Sequence, residues 1–161
     1  MNRIVAIILL CSAFAFGCAT KVWVKNPSQL KGKKIGVVGL NLFHEKTQEP
    51  LINLSQTVTE GLYPYLHEAG FSVVNFKINE IVKEEDAFKI GDSLNVDYVL
   101  VGSGAVGFTL GDPFIHDFAI KLINIKTREV ELMGTFSGAG VEPIGVARKV
   151  GKKIVKRISQ K

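Results

Sequence analysis

Asn95-Val96-Asp97-Tyr98-Val99-Leu100-Val101-Gly102-Ser103-Gly104-Ala105-Val106 decides how this chain is read. The run is apolar, rich in β-branched residues and bounded by turn-formers, so it reads as a strand buried on both faces. Helical periodicity precedes it and strand alternation follows it. It therefore belongs mid-sheet, with Asp97 to Val101 buried at the sheet centre.

Toward the N-terminus, Lys34 to Leu40 and Phe71 to Phe76 are two further strands by their β-branched content. Between them Leu51, Leu54, Val58, Leu62, Tyr65, Leu66 and Ala69 recur at three- and four-residue steps, which makes one apolar helix face. Pro50 suits the first turn of that helix and Gly70 its C-terminal cap. Pro64 removes a hydrogen bond inside it and predicts a kink near Gly61 to Pro64. Asn41 to Glu49 is polar and reads as a loop. Ile78 to Val82 gives a short helical turn. Glu84-Glu85-Asp86 then opens a helix carrying Ala87, Phe88, Gly91 and Leu94 on one side, and three acids in a first turn suit the helix dipole.

Toward the C-terminus, Gly111-Asp112-Pro113 marks a turn. Phe118, Ile120 and Leu122 alternate with polar or small residues, as do Val130, Leu132 and Phe136. These are half-buried antiparallel strands joined at Lys126-Thr127-Arg128. Ser137-Gly138-Ala139-Gly140 reads as a flexible break. Pro143 starts a last helix with Ile144, Ala147, Val150, Ile154, Val155 and Ile158 on its apolar face. The layout is β-α-β-α-β-β-β-α, an α/β single domain over 33–161. Right-handed crossovers make the first three strands parallel, and the hairpins extend the sheet from the third. The expectation is a mixed five-stranded sheet in the order 2-1-3-4-5.

A chain of 161 residues has room for one ordinary core. Both cysteines, Cys11 and Cys18, precede the body, which excludes a disulfide, a thiolate metal site or a cysteine nucleophile there. His44, His67 and His116 lack the paired spacing of a zinc site. No metal and no cofactor is expected.

The first residues set the compartment. Met1-Asn2-Arg3 supplies a positive charge, and Ile4 to Phe16 is apolar but shorter than the roughly 20 residues a membrane-spanning helix needs. That is a secretory signal peptide. Ala15-Phe16-Gly17-Cys18 resembles a lipobox, at which bacteria acylate the cysteine and cleave before it. Ala15 replaces the usual Leu, and Phe16 is bulky for its position. The expected division is a signal peptide over 1–17, a lipidated N-terminus and short tether over 18–32, and the domain beyond. The alternative is cleavage after Ala13-Phe14-Ala15, leaving a soluble periplasmic protein with a free Cys18. Acylation at Cys18 would anchor the domain stably only with more than one chain. Ala19, non-acidic, suits sorting to the bacterial outer membrane, periplasmic face. Within the tether Val22-Trp23-Val24 reads as a small edge strand. The alternative for Trp23 is a place at the lipid interface.

The layout resembles a family of envelope domains that includes the curli secretion lipoprotein, the amino-terminal domain of TolB and the lipoprotein activators of penicillin-binding proteins. The resemblance covers residues 33 to 159. It rests on Lys34-Ile35-Gly36-Val37-Val38, on Ile81 to Glu85, on Ile90-Gly91 with Leu94 to Gly102, and on Ile123 to Val130. In that family the last motif reads Thr-Gly-Glu at its turn, where this chain has Arg128 for the glycine. The resemblance implies a non-catalytic lipoprotein that binds or helps assemble envelope components, with an envelope protein as partner.

Three motifs suggest other chemistry. Gly102-Ser103-Gly104-Ala105-Val106-Gly107 fits G-x-G-x-x-G, but a dinucleotide site needs a helix directly after it. Phe108-Thr109-Leu110 continues in strand style instead, so the glycines are expected to serve a bulge or close packing. Gly91-Asp92-Ser93-Leu94 spells a hydrolase signature, and the alternative function is a small esterase-like envelope hydrolase using Ser93 or a carboxylate. A nucleophile needs a base within reach. A pocket collecting Ser93, Asp112 and His116 would favour the enzyme, and three dispersed groups the binder. Finally, Arg148, Lys149, Lys152, Lys153, Lys156 and Arg157 line the polar side of the last helix. They are candidates for contact with an anionic surface. Nucleic acid is not expected as a partner, because the leader removes the protein from the cytoplasm.

Overall fold

Six segments rich in β-branched and aromatic residues pair into one mixed sheet in the computed structural model, which describes residues 19–76 and 80–160. The strands are β1 (Ala19–Val24), β2 (Lys34–His44), β3 (Ser72–Asn75), β4 (Tyr98–Thr109), β5 (Asp112–Asn124) and β6 (Val130–Val141). The helices are α1 (Pro27–Leu30), α2 (Ile52–Glu68), α3 (Glu84–Ser93) and α4 (Pro143–Ser159). The sheet order is β1-β6-β5-β4-β2-β3. β2 pairs parallel with β3 and β4, and the other neighbours are antiparallel.

The expected five-strand order is present, but the sheet has a sixth strand. Ala19 to Val24 pair along their whole length with Ser137 to Leu132. Those residues were expected to be tether, with an edge strand only at Val22 to Val24. The strand forms because Val22 is buried and Val24 packs against the main core. Beyond its end the Lys25 amide donates to the Glu131 carbonyl at 2.9 Å, and Lys25 Nζ meets Glu129 Oε2 at 2.8 Å.

Other boundaries shift for the same reason, that a partner's ladder is there to pair with. β2 runs through Asn41 to His44, expected as loop, because β4 continues beside it as far as Val106. Ser137 to Gly140 is strand rather than a break, since β6 pairs with β5 as far as Val141↔Ile115. α2 starts at Ile52, not Pro50. Pro50 bridges to Phe43, and the Leu51 amide donates to the Leu42 carbonyl. The helix runs without interruption through Pro64. Part of the turn expected at Ile78 to Val82 lies outside the described residues.

The sheet has one fully covered face. α2 and α4 bury Leu40, Leu42, Ile120, Leu122 and Phe136 beneath Val58, Leu62, Val150 and Ile154. On the other face α3 packs Ala87 over Val38, Val99, Val101, Ile123 and Ile125. Tyr98 to Val101 are buried as expected, but Asp97 is exposed. Asp97 stands just before the strand and ties its start to β2. The Lys34 amide donates to Asp97 Oδ2 at 2.9 Å, and the Asp97 amide donates to the Lys34 carbonyl at 2.8 Å. The apolar face of α4 also shifts: Ile144 is exposed and Val146 is buried.

The glycines of β4 are packing residues. A Cβ on Gly102 would stand 2.5 Å from the Ala119 carbonyl oxygen, and one on Gly104 2.8 Å from that of Asp117. β4 then continues to Thr109 and a turn, so no helix N-terminus faces these glycines.

Candidate functional site

α4 owes its two-sided character to the spacing of its residues. Ala147, Val150, Ile154 and Ile158 recur at three- and four-residue steps and are buried on the sheet. The six cations Arg148, Lys149, Lys152, Lys153, Lys156 and Arg157 occupy the opposite side, and all are exposed. Among the described residues none of the six makes an ion pair. The Lys149 ammonium lies 5.5 Å from the centroid of the Phe136 ring. Arg148 borders a groove shared with Glu60, Pro64 and Tyr65 of α2. Arg157 borders another, shared with Val22 to Val24 and Pro27. The row therefore runs from the α2 contact to the β1 edge, about 13 Å at 1.5 Å per residue. Cations so close repel one another slightly and project a positive field over about a Debye length, ~8 Å at physiological salt.

The groups of the hydrolase alternative are not brought together. The Ser93 hydroxyl donates to the Ile90 carbonyl at 2.7 Å, within its own helix. That helix leads directly into the start of β4 at Tyr98. His116 lies on β5 beside the residues that pair with Val106, eight positions further along, about 25 Å at the rise of a strand. There its Nε2 is 3.7 Å from Glu45 Oε2, and its ring stands edge-on to Phe114. Asp112 is at the His116 end. Among the described residues no three His, Cys, Asp or Glu side chains are grouped as metal ligands. Cys18 lies outside the described residues.

One surface escaped the sequence reading. α3 covers only the part of its face formed by β2, β4 and their neighbours near Ile123. The rest is bare sheet. The register aligns Asn41, Ser103, Ala119, Thr135 and Lys21 in one row across five strands. Short side chains leave a shallow groove of about 470 Å³ along it, bordered by Phe43, Ala105 and Ser137. Trp23 and Met133, partners in the β1–β6 ladder, lie on the same face of the sheet, 53 % and 40 % exposed. The alternation of Lys21 and Trp23 with Val22 and Val24 was the available signal, once that segment is read as strand.

No protein-family model matches the chain, and no curated protein is similar to it in sequence. Solved structures do share its fold. The PelC dodecamer from Paraburkholderia phytofirmans superposes over 90 % of this chain and 99 % of its own, with a TM-score of 0.60 and 19 % identity. A point-substituted form of that dodecamer gives a TM-score of 0.56 at the same identity, over 90 % of this chain and 100 % of its own. The LpoB C-terminal domain from Escherichia coli covers 70 % of this chain and 84 % of its own, at a TM-score of 0.48 and 17 % identity. At such identities the PelC likeness is one of fold.

Proposed function

We propose that this chain is an acylated lipoprotein, anchored through Cys18 in the bacterial outer membrane, whose periplasmic domain binds or helps assemble envelope components. The observation that carries this reading is the position of β1. Among the described residues β1 starts at Ala19, the residue after Cys18. An anchor there holds the sheet itself against the membrane rather than on a loose tether. The separation of Ser93 from His116 favours binding over hydrolysis. The exposed row on α4 is the surface offered to an anionic partner. It begins with Arg148 and Lys149 and extends to Arg157, so head groups at one end and an acidic envelope protein along the rest are both in reach.

Globomycin, which blocks lipoprotein signal peptidase, and a Cys18→Ala variant are the test. Globomycin should leave an uncleaved precursor held in the membrane by its leader, and Cys18→Ala should abolish acylation and outer-membrane retention. A mature chain beginning at Phe16 would overturn the reading.

A second reading concerns assembly. The fold likeness spans nearly the whole of a protein that forms a dodecamer. The bare sheet face, with Trp23 and Met133 exposed at its edge, offers a surface on which copies of this chain could meet. Native mass spectrometry of the detergent-solubilised protein tests this; a monomer at all concentrations would remove it.

A further inference from the structure

We infer that the tip of the β4–β5 hairpin is a membrane-contacting element that dips into the bilayer holding the anchor. This rests on the acylation of Cys18 proposed above.

The first observation is exposure. Leu110 is fully exposed at the tip, and Phe108 beside it is 41 % exposed. Phe108 and Pro113 are cross-strand partners and share a groove of about 510 Å³ with Leu51, Ile52 and Leu54 at the start of α2. The apolar surface is thus continuous from the hairpin onto the helix.

The second is backbone conformation. The two-residue connection Leu110-Gly111 has φ of 51° and 93°. Both central residues of such a turn need positive φ, which Asn-Gly satisfies most easily. A leucine there is strained and gains no burial in the protein. Strain retained by an exposed apolar side chain points to a contact outside the chain.

The third is direction. β1 starts at Ala19, opposite Ser137, which in turn faces Asp117 and Ala105. The start of β1 therefore lies toward the same end of the sheet as the hairpin tip. Four more β4 residues, Val106 to Thr109, extend past that row, about 13 Å at 3.3 Å each. Apolar faces of membrane-surface elements settle about 5–10 Å into the boundary between head groups and acyl chains. An anchor at residue 18 would thus carry the tip to the depth where Leu110 and Phe108 are favoured.

The same end bears Glu45, Glu49 and Asp112. Asp112 pairs with Thr109, one position from the Phe108–Pro113 pair, so it points to the other side of the ribbon. The contact is with the apolar level of the bilayer and gains nothing from anionic head groups. It is distinct in chemistry from the α4 row.

The body has no cysteine, so Leu110→Cys gives a single labelling site in the mature protein. The full chain is expressed in bacteria, its acylation is checked by mass, and it is labelled with a polarity-sensitive fluorophore. It is then placed in phosphatidylethanolamine–phosphatidylcholine vesicles. Expected are a blue-shifted emission, strong quenching by lipid-borne spin labels and little by aqueous iodide. Lys126→Cys, at the opposite end, should behave the reverse way. An acylated, bound protein whose residue 110 is quenched by iodide overturns the tip contact and leaves the anchor standing. Protection from both quenchers means that a second copy or another protein covers the tip, and overturns it too. A protein without acylation removes both readings.

Discussion

The guanidinium of Arg128 lies 3.8 Å from the centroid of the Phe88 ring, joining the β5–β6 turn to α3. Its backbone has φ of 62°, a conformation that glycine favours. Glycine is the residue such a turn would favour, and the stacking explains how arginine takes its place. Arg128→Ala keeps the strained backbone and loses the stacking, so it should cost about 0.5–1 kcal/mol. Arg128→Gly loses the stacking but relieves about 1 kcal/mol of strain and should be near neutral. Urea unfolding midpoints of the two variants check this; no loss in Arg128→Ala would mean the ring contact contributes nothing, and equal losses in both would mean the backbone carries no strain.

Gly102→Ala should destabilise the domain by about 1–3 kcal/mol, as overpacking does in a filled core. The added methyl would meet the Ala119 carbonyl and the side chains of Ile120 and Leu40. Gly111→Ala, with open space around its Cβ position, serves as the comparison and should show only the cost of its positive φ. Thermal melts of both proteins distinguish clash from backbone strain.

Burial raises the Tyr98 hydroxyl above its ordinary range; the Asn124 side chain opposes this by hydrogen bonding, and the charges of Glu131 and Asp97 add to it. The folded chain therefore keeps a proton that the unfolded chain loses above pH of about 10. The associated stability is intact below that pH and declines as pH rises past it. Tyr98→Phe should flatten the decline. Unfolding midpoints of both proteins on the two sides of that pH are the measurement, and parallel slopes would assign the alkaline loss elsewhere.

Replacing Lys149, Lys152, Lys153 and Lys156 by Gln should leave the melting temperature nearly unchanged, because all four are exposed and none is ion-paired among the described residues. It should abolish salt-sensitive binding of the unacylated protein to anionic vesicles. Sedimentation at two salt concentrations, with neutral vesicles alongside, reads this directly. Retained binding would place the contact off α4.

The sequence by itself determined the elements whose signal is local. Tyr98 to Val101 read as a buried strand because apolar β-branched runs leave no solvated side, and they are buried. The face of α2 was legible in the three- and four-residue steps from Leu54 to Leu66, and the close packing at Gly102 in the absence of a following helix. The tertiary structure decided what depends on a distant partner. Within Ala19 to Val24 only Val22 to Val24 read as an edge strand; Ala19 to Lys21 extend it because Thr135 to Ser137 present an open ladder. Asn41 to His44 extends β2 because β4 stands beside it. Asp97 is exposed because its carboxylate closes the start of β2 instead of entering the core. The placement of the start of β1 and the Leu110 tip toward one end of the sheet follows from strand register. Periodicity along one segment cannot express it, since register is set only when two segments meet.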